Sequence, residues 1–120
     1  MAGRVITLYA GDVVDVPIKE RNGQGEITDI SNVRPAIILQ SYPEKGVALA
    51  MKVTRSSTHS IYCRIPIQRW ERAGLDEPSY AEVDTVDPIT NAMAIRPRGV
   101  LHSEDFSKVL DAFHRFYSSE

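Results

Sequence analysis

Cysteine is nearly missing from this chain. Cys63 is the single one, so no intrachain disulfide forms and a reducing compartment is expected. It sits in an apolar, strand-like run, which predicts a small buried hydrophobe, not a low-pKa nucleophile. Long hydrophobic runs are missing too. The opening stretch MAGRVITLYAGD breaks at Gly11 and Asp12, too short for a signal segment and far from the ~20 residues a bilayer requires. The expectation is a soluble, cytoplasmic protein with no membrane association. An excess of one charge is also lacking, since 14 Lys and Arg against 16 Asp and Glu leave a net charge of −2. A nucleic-acid role must then rest on a local basic patch and not on overall charge. The sequence has no internal repeat, no glycine-rich phosphate loop and no His/Cys/Asp/Glu spacing of the metal-site kind.

What is present is ordinary in amount and informative in order. A chain of 120 residues, 42% hydrophobic and 25% charged, predicts one domain with one core over residues 1–120. Val14, Val16 and Ile18 alternate with Asp15 and Pro17, predicting a half-buried strand from Asp12 to Ile18. Pro17 cannot donate to a ladder, so the strand is expected to end, bulge or face an edge there. Lys19–Asn32 is polar and lacks helical periodicity, which reads as a long flexible loop of the functional kind. Ala36–Gln40 and Val47–Val53 read as strands joined by a hairpin turn at Ser41–Gly46. Ile61, Cys63, Ile65 and Ile67 alternate as another strand. A short helical piece, Gln68–Ala73, is expected to stop at Gly74. Two more strands, Tyr80–Val86 and Ala92–Ile95, flank a turn signal at Asp87-Pro88. Phe106, Val109, Leu110, Phe113 and Phe116 then fall at helical spacing, with Ser103 as the expected N-cap and Glu104 and Asp105 in the first turn. Five or six short strands followed by one amphipathic helix predict an α+β, mostly β protein: a small antiparallel barrel with the helix packed on it.

Fold class names no function by itself, but the order of the motifs does more. Gly11-Asp12-Val13-Val14-x-Val16 opens the series. Arg34-Pro35-Ala36-Ile37-Ile38-Leu39 follows the polar loop, and Val53-Thr54 ends the next hairpin. Tyr80–Asp87 and Gly99-x-Leu101-x-x-Glu104-Asp105 complete it. In this order and spacing, from about Gly11 to Phe116, the chain resembles the PemK/MazF toxins of type II toxin–antitoxin systems. It departs from their pattern at Lys52, where a proline is usual. It departs again at Ala81-Glu82, where many members carry Asp-Gln.

The resemblance implies an SH3-like barrel of the PemK/MazF/CcdB kind and an endoribonuclease that cuts single-stranded RNA with no metal or other cofactor. It implies Arg34 and Thr54 as the catalytic pair. The chemistry suits these residue types. Charge develops on the nonbridging phosphate oxygens, so a fixed guanidinium and a short hydroxyl donor aimed there stabilise the transition state. Because Arg34 lies just before one strand and Thr54 at the end of its hairpin partner, both are expected at one end of the sheet. Arginine is a poor general base, so the acid and base are sought in Glu20 and His59, with neither preferred. Lys19, Arg21, Arg55, Ser56, Ser57 and His59 are candidate RNA contacts, with solvated loop residues as the plain alternative. A small antitoxin protein and a homodimer are the partners implied. The other readings are a catalytically inactive barrel acting as a protein-binding regulator and a CcdB-like toxin directed at gyrase.

Overall fold

The computed structural model describes residues 7–21, 24, 27–55 and 63–118, apart from the side chains of 18–21 and 27–32. Six strands and one helix run along it: β1 (Asp12–Arg21), β2 (Ile27–Tyr42), β3 (Val47–Thr54), β4 (Arg64–Pro66), β5 (Tyr80–Thr90), β6 (Arg96–Val100) and α1 (Ser103–Ser118). All pairings among the described residues are antiparallel, in the order β4-β5-β3-β2-β1-β6. The expected mostly β architecture with a terminal helix is present. The sheet, however, is open: β4 and β6 stand at its two edges, so the word barrel overstates its closure.

The alternation of apolar residues splits between the two faces. Val13, Ile37, Met51, Val53, Ala81 and Val83 point toward α1 and join Val109 and Ala112 in one core cluster. Val14, Val16, Ala36, Ile38, Ala48 and Ala50 point the other way and pack with Leu8 and Ile89. The central segment of β2 is buried on both faces, which explains the continuous apolar run Ala36–Leu39.

Several local expectations change. Lys19–Asn32 is not one long loop, because β1 continues to Arg21 and β2 begins at Ile27. Polar composition hid a strand extension whose partners are supplied by the neighbouring strand, from Ile18 opposite Asn32 to Arg21 opposite Ile27. Pro17 does face an edge: among the described residues β6 pairs only with Asp12–Asp15, so no described strand pairs with that side of β1 beyond Asp15. Asp87-Pro88 is not a turn. β5 runs through it to Thr90, and Pro88 is tolerated because β4 pairs only with Tyr80–Glu82, so no described strand pairs with the outer side of β5 there. The second strand of that pair lies later than predicted, at Arg96–Val100, after a single 3-10 turn at Asn91–Met93. Of the strand predicted around Ile61–Ile67, Arg64–Pro66 is strand, while residues 61 and 62 lie outside the described residues.

Gln68–Ala73 folds as hydrogen-bonded turns and not as a helix, with the Ala73 N–H donating to the carbonyls of Arg69 and Trp70. It does stop at Gly74, whose φ of +80° suits glycine. A Cβ at Gly74 would lie 2.1 Å from the carbonyl oxygen of Arg98, so the turn rests directly on β6. Asp105 fastens the same turn to α1. Its carboxylate is 1% exposed as a residue and accepts from the backbone N–H groups of Gln68 and Arg69 at 3.3 and 2.9 Å. The helix cap is His102 and not Ser103: its carbonyl accepts from Phe106 N–H, and its Nδ1 accepts from Glu104 N–H at 3.1 Å. Among the described residues, no helix is long and apolar enough to cross a membrane.

Candidate functional site

The register of β2 and β3 decides where Arg34 and Thr54 meet. Ala36 pairs with Lys52, Ile37 with Met51 and Ile38 with Ala50. Continued by two residues toward the open end, this register sets Arg34 level with Thr54. Both then share the sheet face of Ala36 and Ala50, since side chains two apart along a strand point the same way. The alignment follows from the sharp hairpin turn at residues 43–46, where the N–H groups of Lys45 and Gly46 bond back to the carbonyls of Tyr42 and Pro43.

Where the β2–β3 ladder stops lies a cleft of about 460 Å³. The middle of β2, where the strand was expected only to begin, lines it with Val33, Arg34 and Pro35, and the end of β3 lines it with Lys52, Val53, Thr54 and the following Arg55. Leu75, Asp76, Glu77 and Ser79 from the segment before β5 form its other wall, and Arg98 completes it. The structure therefore brings together Arg34, Thr54 and Arg55 from the candidate set. Arg34 and Thr54 are half-buried, and each is engaged with a neighbour. Arg55 is exposed and pairs with Glu77 across the cleft at 2.8 Å. Lys19, Glu20 and Arg21 lie on β1, but their side chains are not among those described. Ser56, Ser57 and His59 fall outside the described residues.

Arg98, Asp76, Glu77 and Ser79 are among the lining residues not anticipated from the sequence, as is Lys52, which was read there only as a departure from the family pattern. Arg98 reaches the cleft through a bulge. The β1–β6 register steps from Val13 opposite Gly99 to Val14 opposite Pro97, which leaves Arg98 as the extra residue. A bulge turns a side chain out of the regular alternation, and here it drives the guanidinium to Asp15. Asp15 Oδ1 accepts from Arg98 Nε at 2.5 Å, and Arg98 Nη1 donates to Gly74 O at 3.1 Å and Asp76 Oδ2 at 3.3 Å. Asp15 raises the already high pKa of Arg98 by this hydrogen bond, with burial working in the opposite direction. One cation thus ties β1, the turn before the cleft and the acidic wall together. The nearest sequence signal was the turn-like Asp76-Glu77-Pro78-Ser79 run, which says nothing of where the turn folds.

The cleft continues into a charged network on the β3–β5 side. Lys52 Nζ lies 3.7 Å from Glu82 Oε2, and Glu82 Oε1 accepts from Arg64 Nη2 at 2.7 Å. Arg64 also donates to Asp84 at 3.2 Å and to the Cys63 carbonyl at 3.1 Å. Cys63 is half-buried just before β4 and not the enclosed hydrophobe that was expected. Among the described residues, no three His, Cys, Asp or Glu side chains converge as metal ligands would.

Fold and cleft together define a small antiparallel β protein with a terminal helix and an arginine- and hydroxyl-bearing groove where the β2–β3 ladder ends. The chain belongs to the PemK-like, MazF-like toxins of type II toxin–antitoxin systems, whose family model matches residues 9–117. Solved structures agree in fold. MazF from Deinococcus radiodurans superposes with a TM-score of 0.71 at 14% identity, covering 95% of this chain and 99% of that one. An endoribonuclease in complex with its cognate antitoxin, from a mycobacterial species, gives 0.70 at 10% identity over 95% and 98%. Another mycobacterial endoribonuclease gives 0.66 at 12% over 92% and 91%. No curated protein matches the chain significantly in sequence.

Proposed function

We propose that this toxin is a metal-independent endoribonuclease that cuts single-stranded RNA at specific sequences, with Arg34 and Thr54 as its catalytic pair. The observation that carries the reading is the arrival of both residues in one cleft from separate strands. In the proposed reaction the 2′-hydroxyl gives its proton to a base, and its oxygen bonds to the adjacent phosphorus. The bond to the 5′-oxygen breaks, and that oxygen takes a proton. The products are a 2′,3′-cyclic phosphate and a 5′-hydroxyl. Arg34 neutralises charge on the nonbridging oxygens through a planar, permanently charged fork. Thr54 donates one hydrogen bond from a short side chain held on a strand. Glu20 and His59 remain the proposed acid and base, and Lys19, Arg21, Arg55, Ser56, Ser57 and His59 the proposed RNA contacts. The RNA is contacted from residues flanking the cleft, so local charge does what the net charge of −2 cannot.

The toxin works in the cytoplasm as a homodimer and is silenced by a small antitoxin protein whose disordered segment covers the groove. A solved neighbour described as an endoribonuclease with its cognate antitoxin supports this part of the reading. The test is incubation of the purified protein with long single-stranded RNA in EDTA, beside Arg34→Ala and Thr54→Ala. Each variant is expected to lose about 100- to 1,000-fold in cleavage rate while remaining folded. Cleavage that survives both substitutions overturns the site. A wild type that cuts no RNA of diverse sequence, at any salt concentration, overturns the enzyme and leaves a protein-directed toxin or regulator.

A further inference from the structure

Two of the residues at which the chain departs from the family pattern, Lys52 and Glu82, face each other in the structure. They meet at a break in the sheet. Along β3 and β5 the register runs regularly as far as Met51 opposite Val86, then resumes at Val53 opposite Ala81. Lys52 alone therefore spans the stretch that residues 82–85 occupy on β5. Here β5 bulges away from its partner, and Glu82 reaches back across the gap to Lys52. The carboxylate is 13% exposed and already bonded to Arg64, itself 5% exposed. A well-buried guanidinium thus fixes the counter-charge of Lys52 from behind.

Lys52 lies in the cleft on the same strand and face as Thr54, two residues away. Two residues of strand are about 6.8 Å, close to the repeat of neighbouring phosphates along an extended single strand. The ammonium is within Coulombic range of Glu82 but beyond hydrogen-bond distance of its Oε2. With three donors on a flexible stem, it can bond a phosphate oxygen and keep that ion pair. From this geometry we infer that Lys52 binds the phosphodiester next to the one held by Arg34 and Thr54, with Glu82 and Arg64 as its positioning residues. The inference rests on the RNA-cleaving reading and adds to it a backbone contact that recognises charge and not base.

A backbone contact leaves a salt signature that a structural role does not. Neutralising one phosphate of a single strand adds about 0.7 to the magnitude of the slope of log affinity against log salt. The probe is a mixed-sequence 2′-O-methyl RNA oligonucleotide, which has no free 2′-hydroxyl and stays uncut. Its affinity is measured by fluorescence anisotropy for the wild type, Lys52→Met, Lys52→Arg and Arg34→Ala. Lys52→Met keeps the apolar stem and leaves Glu82 bonded to Arg64, and urea unfolding checks that it folds. The expected result is weaker binding by Lys52→Met, with the slope reduced by about 0.7 and restored in Lys52→Arg. Equivalently, the wild-type advantage over Lys52→Met shrinks about 2.6-fold between 50 and 200 mM salt. An unchanged slope in Lys52→Met, alongside a reduced slope in Arg34→Ala, overturns this inference and leaves the ribonuclease reading standing. A wild type that binds no such RNA overturns this inference too, while the ribonuclease reading stands or falls by the cleavage assay in EDTA.

Discussion

Replacing Asp15 by Asn tests the ion pairs that brace the cleft. The carboxylate is 7% exposed and faces two cations of very different burial: Arg98, 15% exposed, and Arg96, 62% exposed. Removing one member of a buried pair costs about 3–5 kcal/mol, because the other charge is left uncompensated. Arg98 is not left wholly alone, since Asp76 and the Gly74 carbonyl still accept from it, and Asn keeps an oxygen for its Nε. Arg96 returns to water at a cost of less than about 1 kcal/mol. The expected loss for Asp15→Asn is therefore about 2–3 kcal/mol. With a urea slope of about 1.5 kcal/mol per M, the unfolding midpoint falls by about 1.3–2 M. Arg96→Gln, which touches only the exposed pair, moves it by less than about 0.7 M. The raised pKa of Arg98 keeps its contribution fully present below the ordinary arginine value, so these shifts are the same at pH 6 and pH 9 as far as Arg98 is concerned. Because Asp15 and Arg98 act as one unit, Asp15→Asn and Arg98→Met combined lose less than their separate losses added. An Asp15→Asn midpoint within 0.3 M of wild type, or strict additivity with Arg98→Met, refutes this account.

Gly74→Ala places a Cβ 2.1 Å from the Arg98 carbonyl oxygen at a φ of +80°. The left-handed backbone alone costs an L-residue about 1–2 kcal/mol, and the clash must also lift the turn from β6, so urea unfolding is expected to show a loss of about 2–4 kcal/mol. A loss under 1 kcal/mol shows that the turn and β6 part easily. Tyr117 has its pKa raised above 10.0 by burial, with Asp84, Asp87 and Cys63 adding repulsion. A raised pKa means that the folded state holds this proton more tightly, so its stabilisation is complete below about pH 10 and fades as pH rises through the folded value. Tyr117→Phe removes that titration, and the stability difference from wild type is expected to shift in favour of the Phe variant above pH 10. Parallel pH profiles for the two proteins contradict the assignment.

How much of this was legible in the sequence follows the range of the interactions. Period-two alternation showed β1, β3 and the start of β5, because each residue's burial is set by its own position on a pleated strand. Period 3.6 showed α1 for the same reason. Prolines misled at Asp87-Pro88, where an open strand edge accepts a residue without an N–H. The polar run Lys19–Asn32 misled because backbone pairing and not side-chain polarity extends β1 and β2. Arg34 and Thr54 were legible as a pair only through the ordered resemblance. Their placement in one cleft needed the register of β2 and β3, which the short hairpin turn sets.

Other features were decided by tertiary structure alone. Arg98 joins the cleft because a bulge opposite Val13 and Val14 turns it toward Asp15, 83 residues earlier in the chain. Lys52 and Glu82 become partners because β5 slips by several residues against β3 at that point. Bulges leave no periodic mark, and an ion pair between distant strands depends on where both strands end up. The sequence by itself determined the alternating faces, the helix and the residue types that phosphate chemistry requires. The tertiary structure determined which of those residues share a cleft, because only strand register and its interruptions convert sequence position into distance.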